Sequence, residues 1–411
     1  MMCRLRIVLL LATCLALTAS SLAAAAEADG SAGADHDGVP IARGMHTATL
    51  LPDGRALIAG GGTTGGIEVA EAEVWDPASE RSEIVGSLAQ TRWGSTASLL
   101  PDGRVLLAGG STQQDPTGEM PATEGPFSLE STEIWDAEAG FTAGVPMAVA
   151  RFGHTATTLP DGRVLVVGGT QEDSPVAAEI WDPGTGTFLP SGTPLVERNW
   201  GHTATLLPDG RVLFVGGQSA AGIGTYDMTL VELAVAEVWD PRTDEFTEAG
   251  ALEIGRVFHT ASPLPDGRVL VTGGFGTDAD DQPTLIDSAV AWDPATNSFT
   301  EVATMTVGRI DHLASVLPDG KVFIAGGIGF EGGVPDPEAD IGPSPVTLVE
   351  LFDPVTESFA PVGRLTEGRE YGTATALADG RVLLIGGSDH EGEQFADPEI
   401  WTLPDSQEVS D

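Results

Sequence analysis

From residue 43 onward the chain repeats one pattern seven times. An arginine opens each unit, followed by His-Thr-Ala-Thr or a close variant and then Leu-Pro-Asp-Gly-Arg. Four apolar residues, a diglycine, a variable stretch and Glu-Val-Trp-Asp-Pro complete it. The opening arginines are Arg43, Arg92, Arg151, Arg198, Arg256, Arg309 and Arg369. Self-similarity at a period of ~50 residues restricts the fold to a propeller or a solenoid, in which neighbouring units bury each other's apolar faces. A repeat of this kind also fills, as one domain, a length that would otherwise favour two or three.

Local chemistry separates the two architectures. The segment His154-Thr155-Ala156-Thr157-Thr158-Leu159 is short, rich in β-branched residues and followed by Pro160-Asp161-Gly162. Asp-Gly between apolar runs is a strong hairpin signal, because glycine takes a positive φ without steric cost. The return run Arg163 to Val167 ends at Gly168-Gly169, where missing side chains permit close backbone approach. A third strand from Ala178 to Asp182 and a fourth containing Phe188 complete four antiparallel strands. Helical periodicity is absent after residue 26, so the expectation is an all-β, seven-bladed β-propeller of four-stranded antiparallel blades.

These residues resemble kelch repeats. The resemblance rests on seven diglycines, on the aromatic before Asp-Pro (Trp75, Trp135, Trp181, Trp239, Trp292, Phe352) with its counterpart Trp401, and on the preceding arginine and histidine. It covers roughly residues 35–404. The family commonly places Tyr on the third strand and Trp on the fourth. Here Trp is followed by Phe141, Phe188, Phe246, Phe299 and Phe359, which alters packing without threatening the fold. Galactose-oxidase-like copper oxidases share the propeller, and the resemblance implies a radical site of a tyrosine cross-linked to cysteine, a second tyrosine and two histidines. This chain has only Cys3 and Cys14, both in its leader, and Tyr226 and Tyr371, so that cofactor is disfavoured. Small exported kelch propellers resembling sialic-acid epimerases imply a second enzymatic possibility, metal-independent acid–base chemistry, for which the sequence nominates no residue pair.

The two ends of the repeat are complementary. The seventh unit stops near Pro404 without a fourth strand, whereas Gly38 to Arg43 resembles the end of one. Residues near 34–41 are therefore expected to complete the seventh blade and close the ring, with Ser406 to Asp411 as the weaker candidate. Deleting residues 27–42 should then lower the melting temperature severely. Residues 1–26 read as a signal peptide: Arg4 and Arg6, an apolar stretch from Ile7 to about Leu22, and Ala24-Ala25-Ala26 before Glu27. A lipoprotein through Cys14 and a retained anchor stay open as lesser alternatives. The division is thus 1–26 signal, 27–404 propeller and 405–411 polar tail. The expected location is secreted, periplasmic or at the cell surface, with no membrane insertion after cleavage.

With 61 acidic and 19 basic side chains the formal charge is −42. A polyanion repels phosphate backbones and anionic lipid headgroups, which argues against nucleic-acid and membrane-surface partners. Lys321 is the sole lysine. The acidity fits solubility in salty surroundings, or alternatively a docking surface for a basic partner whose binding would depend steeply on salt.

Strand alternation places the Pro-Asp-Gly and Asp-Pro turns on one face, and the variable stretches with the links before His-Thr-Ala-Thr on the other. The variable stretches of units 2, 4 and 6 are long and read as loops without secondary structure, where function concentrates. Residues just before the inner strands should ring the central mouth. These are Met45 and the candidate ligand-binding set Trp93, Phe152, Trp200, Phe258, Asp311, Glu370 and Tyr371. Aromatic platforms beside carboxylates suit sugar rings or cationic groups. The competing reading has these aromatics packing between blades, and it applies to the phenylalanines most.

Five repeated histidines (His46, His154, His202, His259, His312) could surround a metal, but ligand atoms must converge within about 2.1 Å of one ion. Sevenfold placement spreads them, so a structural role is expected. The arginines are expected to pair with Glu73, Glu133, Glu179, Glu237, Glu350 and Glu399; Val290 stands at that place in unit 5. Two G-x-G-x-x-G matches lack the helix that would hold a pyrophosphate. Ser388-Asp389-His390 spells triad letters without triad spacing. Asp278, Asp280 and Asp281 offer a weak calcium possibility; no other cofactor is implied. The functional expectation is an exported, non-catalytic binding or scaffold protein, with carbohydrate or cell-envelope glycan as preferred ligand. The alternatives are an epimerase-like carbohydrate enzyme using the mouth, or protein docking through the long loops.

Overall fold

The Pro-Asp-Gly turn shows how each unit builds itself. Strand Thr47–Leu50 ends at Leu51, whose N–H bonds the Arg55 carbonyl at 2.7 Å, while Gly54 takes φ +87°. The Asp53 carboxylate accepts the Arg55 N–H at 3.1 Å and so fixes the turn from within. The chain returns as Ala56–Ala59, pairing Thr47 with Ala59 through Leu50 with Ala56. Strands Glu71–Asp76 and Arg81–Ser87 then extend the sheet outward.

The structure is a computed structural model that describes residues 38–114, 127–169, 178–221, 229–331, 342–389 and 392–402. It is all-β, with six antiparallel four-stranded sheets in the unit order expected and a seventh of three strands, Thr373–Ala376, Val382–Ile385 and Glu399–Trp401. The inner strand of each sheet packs on that of the next, and Thr373–Ala376 returns to Thr47–Leu50. Second strands such as Val164–Val167 are buried at every residue because a neighbouring sheet covers each face.

The core is accordingly divided into seams between consecutive sheets. Leu213, Val215 and Val238 of unit 4 meet Val269, Val271 and Trp292 of unit 5. Leu383 and Ile385 of unit 7 meet Ala56, Ile58 and Trp75 of unit 1 in the same way. Burying each such side chain stabilises by roughly 1.5–3 kcal/mol.

A polar seam runs beside the apolar one. The second glycine of each pair donates its N–H to the carbonyl of the next unit's opening arginine, as in Gly61 to Arg92 and Gly387 to Arg43. A Cβ at Gly168 would lie 2.6 Å from the Arg198 carbonyl oxygen, and its φ is +78°, so this position requires glycine twice over. The arginines are buried, and six pair within their own sheet: Arg43–Glu73 at 2.6 Å, Arg92–Glu133 at 3.0 Å, Arg151–Glu179 at 2.8 Å, Arg309–Glu350 at 2.6 Å, Arg369–Glu399 at 3.2 Å, and Arg198 with Glu237. Arg256, opposite Val290, instead donates to Gly273 and Ser288 carbonyls. Burial lowers its pKa to about 10.

Two expectations need correction or restriction. The variable stretches are not structureless: they start as β-ribbons, Ser111–Thr112 with Phe127–Ser128, Gln218–Ala221 with Thr229–Glu232, and Arg309–Ile310 with Ile328–Gly329 and Ser344–Pro345. Unit 5 does likewise with Phe275–Thr277 and Pro283–Leu285. These strands were hidden because two to four residues carry no readable alternation. Of the N-terminal strand expected near 34–41, residues 38–41 are irregular. Gly38 accepts the Ser82 N–H, and Ile41 donates to Glu73, so this segment lies against the first sheet. Residues 34–37 lie outside the described residues, as do residues 1–33 with Cys3 and Cys14, Tyr226, His390 and residues 403–411.

Candidate functional site

The face assignment places the mouth. Arg381, after the seventh Asp-Gly turn, reaches the Pro77 carbonyl in the first Asp-Pro turn, so both turn types share one face. On the other face the links before the inner strands pair with the start of the variable stretches, as in Trp93 with Ser111, Trp200 with Gln218 and Glu370 with Ser388.

One position in these links turns the chain toward the axis with a positive φ. Units 2, 3 and 4 put Gly94, Gly153 and Gly201 there, at φ +59°, +70° and +68°. The other four units put side chains there: Met45, Phe258, Asp311 and Tyr371, at φ +55°, +58°, +50° and +57°. A left-handed conformation is costly for residues with a Cβ. Backbone hydrogen bonds join these positions around the axis: Met45 N–H to Tyr371, Gly94 to Met45, Phe258 to Gly201 and Asp311 to Phe258, at 2.9–3.2 Å.

Three of those side chains meet. A recess of about 300 Å³ is lined by Phe258, Asp311 and Tyr371, with Gly201, Leu313, Gly372 and the edges of His202, His259 and His312. Burial pushes the Asp311 carboxyl up to about 7. Glu370, beside Tyr371, is pushed up to about 8, first by burial and then by the charges of Asp311 and Asp389. Its Oε2 is buried with no hydrogen-bond partner. Near neutrality Glu370 is thus largely protonated and Asp311 about half so, and in that form each can donate as well as accept a hydrogen bond.

The histidines at the recess are committed elsewhere. Each Nε2 meets a threonine on the preceding inner strand: His202 with Thr155 at 3.1 Å, His259 with Thr203 at 3.0 Å and His312 with Thr260 at 2.9 Å. His46 and His154 meet Thr373 and Thr96 likewise. Burial and the nearby arginines hold them neutral, with pKa values of about 3 for His46, His154, His202 and His312. They latch neighbouring blades.

The remaining candidates lie apart from the recess lining. Trp93 is buried, with Phe152 edge-on against it at 4.7 Å between centroids. Trp200 packs with Val257, Phe275, Ile310 and Ile328. The Asp278 carboxylate accepts the Asp280 and Gln282 N–H groups in the turn of the unit 5 ribbon, together with its neighbours Asp280 and Asp281. Gly201, Leu313 and Gly372 were missed as lining residues. Laying the units over one another at the residue before the histidine would have found the ring, because glycine gives way there to Met, Phe, Asp and Tyr.

Comparison with known proteins agrees with this architecture. No protein-family model matches the chain. Kelch-like protein 23 of Homo sapiens is 27% identical over 156 residues, 38% of this chain and 25% of that protein, so the match spans a quarter of that relative. A solved fungal alcohol oxidase of the AA5 family, in complex with copper, superposes with a TM-score of 0.64 at 18% identity, covering 89% of this chain and 75% of that one. That likeness concerns the fold. Among the described residues no three His, Cys, Asp or Glu side chains are grouped to hold a metal. The recess histidines share their Nε2 atoms with threonines, while each Nδ1 is buried without a hydrogen-bond partner among the described residues.

Proposed function

We propose that the chain, whose repeats and fold resemble those of kelch β-propellers, is an exported, non-catalytic binding protein whose ligand, a carbohydrate or cell-envelope glycan, occupies the axial recess. The observation that carries this reading is the replacement of an axial glycine by Phe258, Asp311 and Tyr371 around one open recess. Aromatic rings offer flat apolar faces to sugar carbons, and protonated carboxyls exchange hydrogen bonds with hydroxyls. Trp93 and Phe152 enter as packing that holds the ring, while Glu370 acts beside Asp311.

The test compares glycan binding by residues 27–411 with that of a Phe258→Ala/Tyr371→Ala variant that still melts cooperatively. A loss of at least about tenfold is expected, since removing two ring contacts costs more than about 1.4 kcal/mol. Unchanged binding would overturn the site. Trp93→Ala serves as the packing control and should lower the melting temperature instead. A second reading, acid–base chemistry on a sugar, is favoured by one observation: Asp311 has a pKa near neutrality, where a general acid or base works best. Turnover of the bound sugar, abolished in Asp311→Asn, would support it over simple binding.

A further inference from the structure

The recess lining holds one acidic side chain, Asp311, without a countercharge, and Glu370 stands next to the lining residue Tyr371. The lining contains no arginine or lysine. The nearest opening arginines are spent: Arg309 on Glu350 and the Gly326 carbonyl, Arg369 on Glu399 and the Gly386 carbonyl. His202, His259 and His312 are neutral and bonded to threonines. Asp389 adds a further negative charge near Glu370. Within the lining, Asp311 is accompanied only by apolar or neutral side chains, and Glu370 Oε2 has no hydrogen-bond partner among the described residues. Two aromatic rings, Phe258 and Tyr371, share the same cavity.

We propose that the recess takes a ligand carrying a primary ammonium group, and, resting on the carbohydrate reading above, that this ligand is an amino sugar. The ammonium donates to the Asp311 carboxylate, while the ring carbons lie on Phe258 or Tyr371 and Glu370, beside Tyr371, adds its charge from outside the lining. A cation is what this cavity lacks: it restores the charged form of a carboxyl that burial keeps partly protonated. The aromatic faces add attraction for positive charge. Binding at neutral pH should release protons to solvent, because the carboxyl ionises as the ammonium enters.

Titration calorimetry at pH 7, in phosphate and in MOPS, neither of which carries a primary ammonium, separates the possibilities with three probes: the deacetylated glucosamine dimer, its N,N′-diacetylated counterpart, and ethylammonium. The proposal expects the amine dimer to bind at least about tenfold tighter than the acetylated one, with a heat that depends on buffer because protons are released. Asp311→Asn and Glu370→Gln should erase that preference while the melt stays cooperative. Equal binding of the two dimers, or a preference that Asp311→Asn leaves intact, overturns the ammonium inference and keeps the sugar site. Binding of ethylammonium with neither dimer keeps the ammonium site and overturns the carbohydrate reading. No binding by any probe overturns both.

Discussion

At the scale of single residues, the chain places opposed titrations a few ångströms apart. The five repeated histidines are buried neutral, their folded pKa values below the ordinary 6.5. The unfolded chain takes up protons first as pH falls, so their contribution to stability is lost below about pH 6.5. Asp311 runs the other way. Its folded pKa of about 7 lies above the ordinary 3.8, so between those values the folded state keeps a proton that the unfolded state has released. Stability from this group is full below about pH 4 and falls as pH rises to about 7. Asp311→Asn cannot ionise and should remove that penalty. Relative to the parent, the variant should melt about 2–4 °C higher at pH 8 and differ little at pH 4. The same difference at both pH values would contradict the account. The paired arginines make a second residue-scale prediction. Glu179→Ala leaves Arg151 buried without its carboxylate and frees the Ala148 N–H. A loss of about 3–5 kcal/mol in denaturant unfolding is expected; a loss below about 1 kcal/mol would contradict the structural role.

At the scale of elements, the strands and turns were legible because their chemistry is local. Asp-Gly at the hairpin, the all-apolar second strand and the Glu-x-Trp third strand each announce one geometry, and six sheets follow it. The arginine–glutamate pairs were legible too, because both members recur in register. The ribbons at the base of the variable stretches were not, since their pairing is set by the links beside them rather than by their own sequence. The recess was legible only in its membership: Phe258, Asp311 and Tyr371 could be named, but not that the fold sets these three around one cavity and turns Trp93 onto Phe152 instead. The outer edge of Glu399–Trp401 has no fourth strand among the described residues. The sequence expectation is that residues near 34–41 complete this sheet, and of these 34–37 lie outside the described residues. Removing residues 27–37 alone spares the Gly38 and Ile41 contacts to the first sheet. The truncated protein should melt at least about 5 °C lower, as expected for a lost edge strand worth a few kcal/mol. An unchanged melt would sink the expectation.

At the scale of the whole molecule, the ring makes neighbours of segments far apart in sequence. Its first and seventh units meet through Gly387 and Arg43, through His46 and Thr373, and through an apolar seam like those between the other sheets. Repetition would bring equivalent residues to the axis seven times, and the chain departs from equivalence there, with glycine in three units and four different side chains in the others. That asymmetry, on a strongly acidic chain, is the ground on which we propose the mouth as a site rather than a seam. Hydrogen–deuterium exchange of residues 27–411, with and without whichever glucosamine dimer binds tighter, tests this claim directly. The account predicts new protection at the links around Gly201, Phe258, Asp311 and Tyr371 together, four stretches that meet only at the axis. Protection confined to the ribbon Phe275–Thr277 with Pro283–Leu285 or to the outer strands would contradict it.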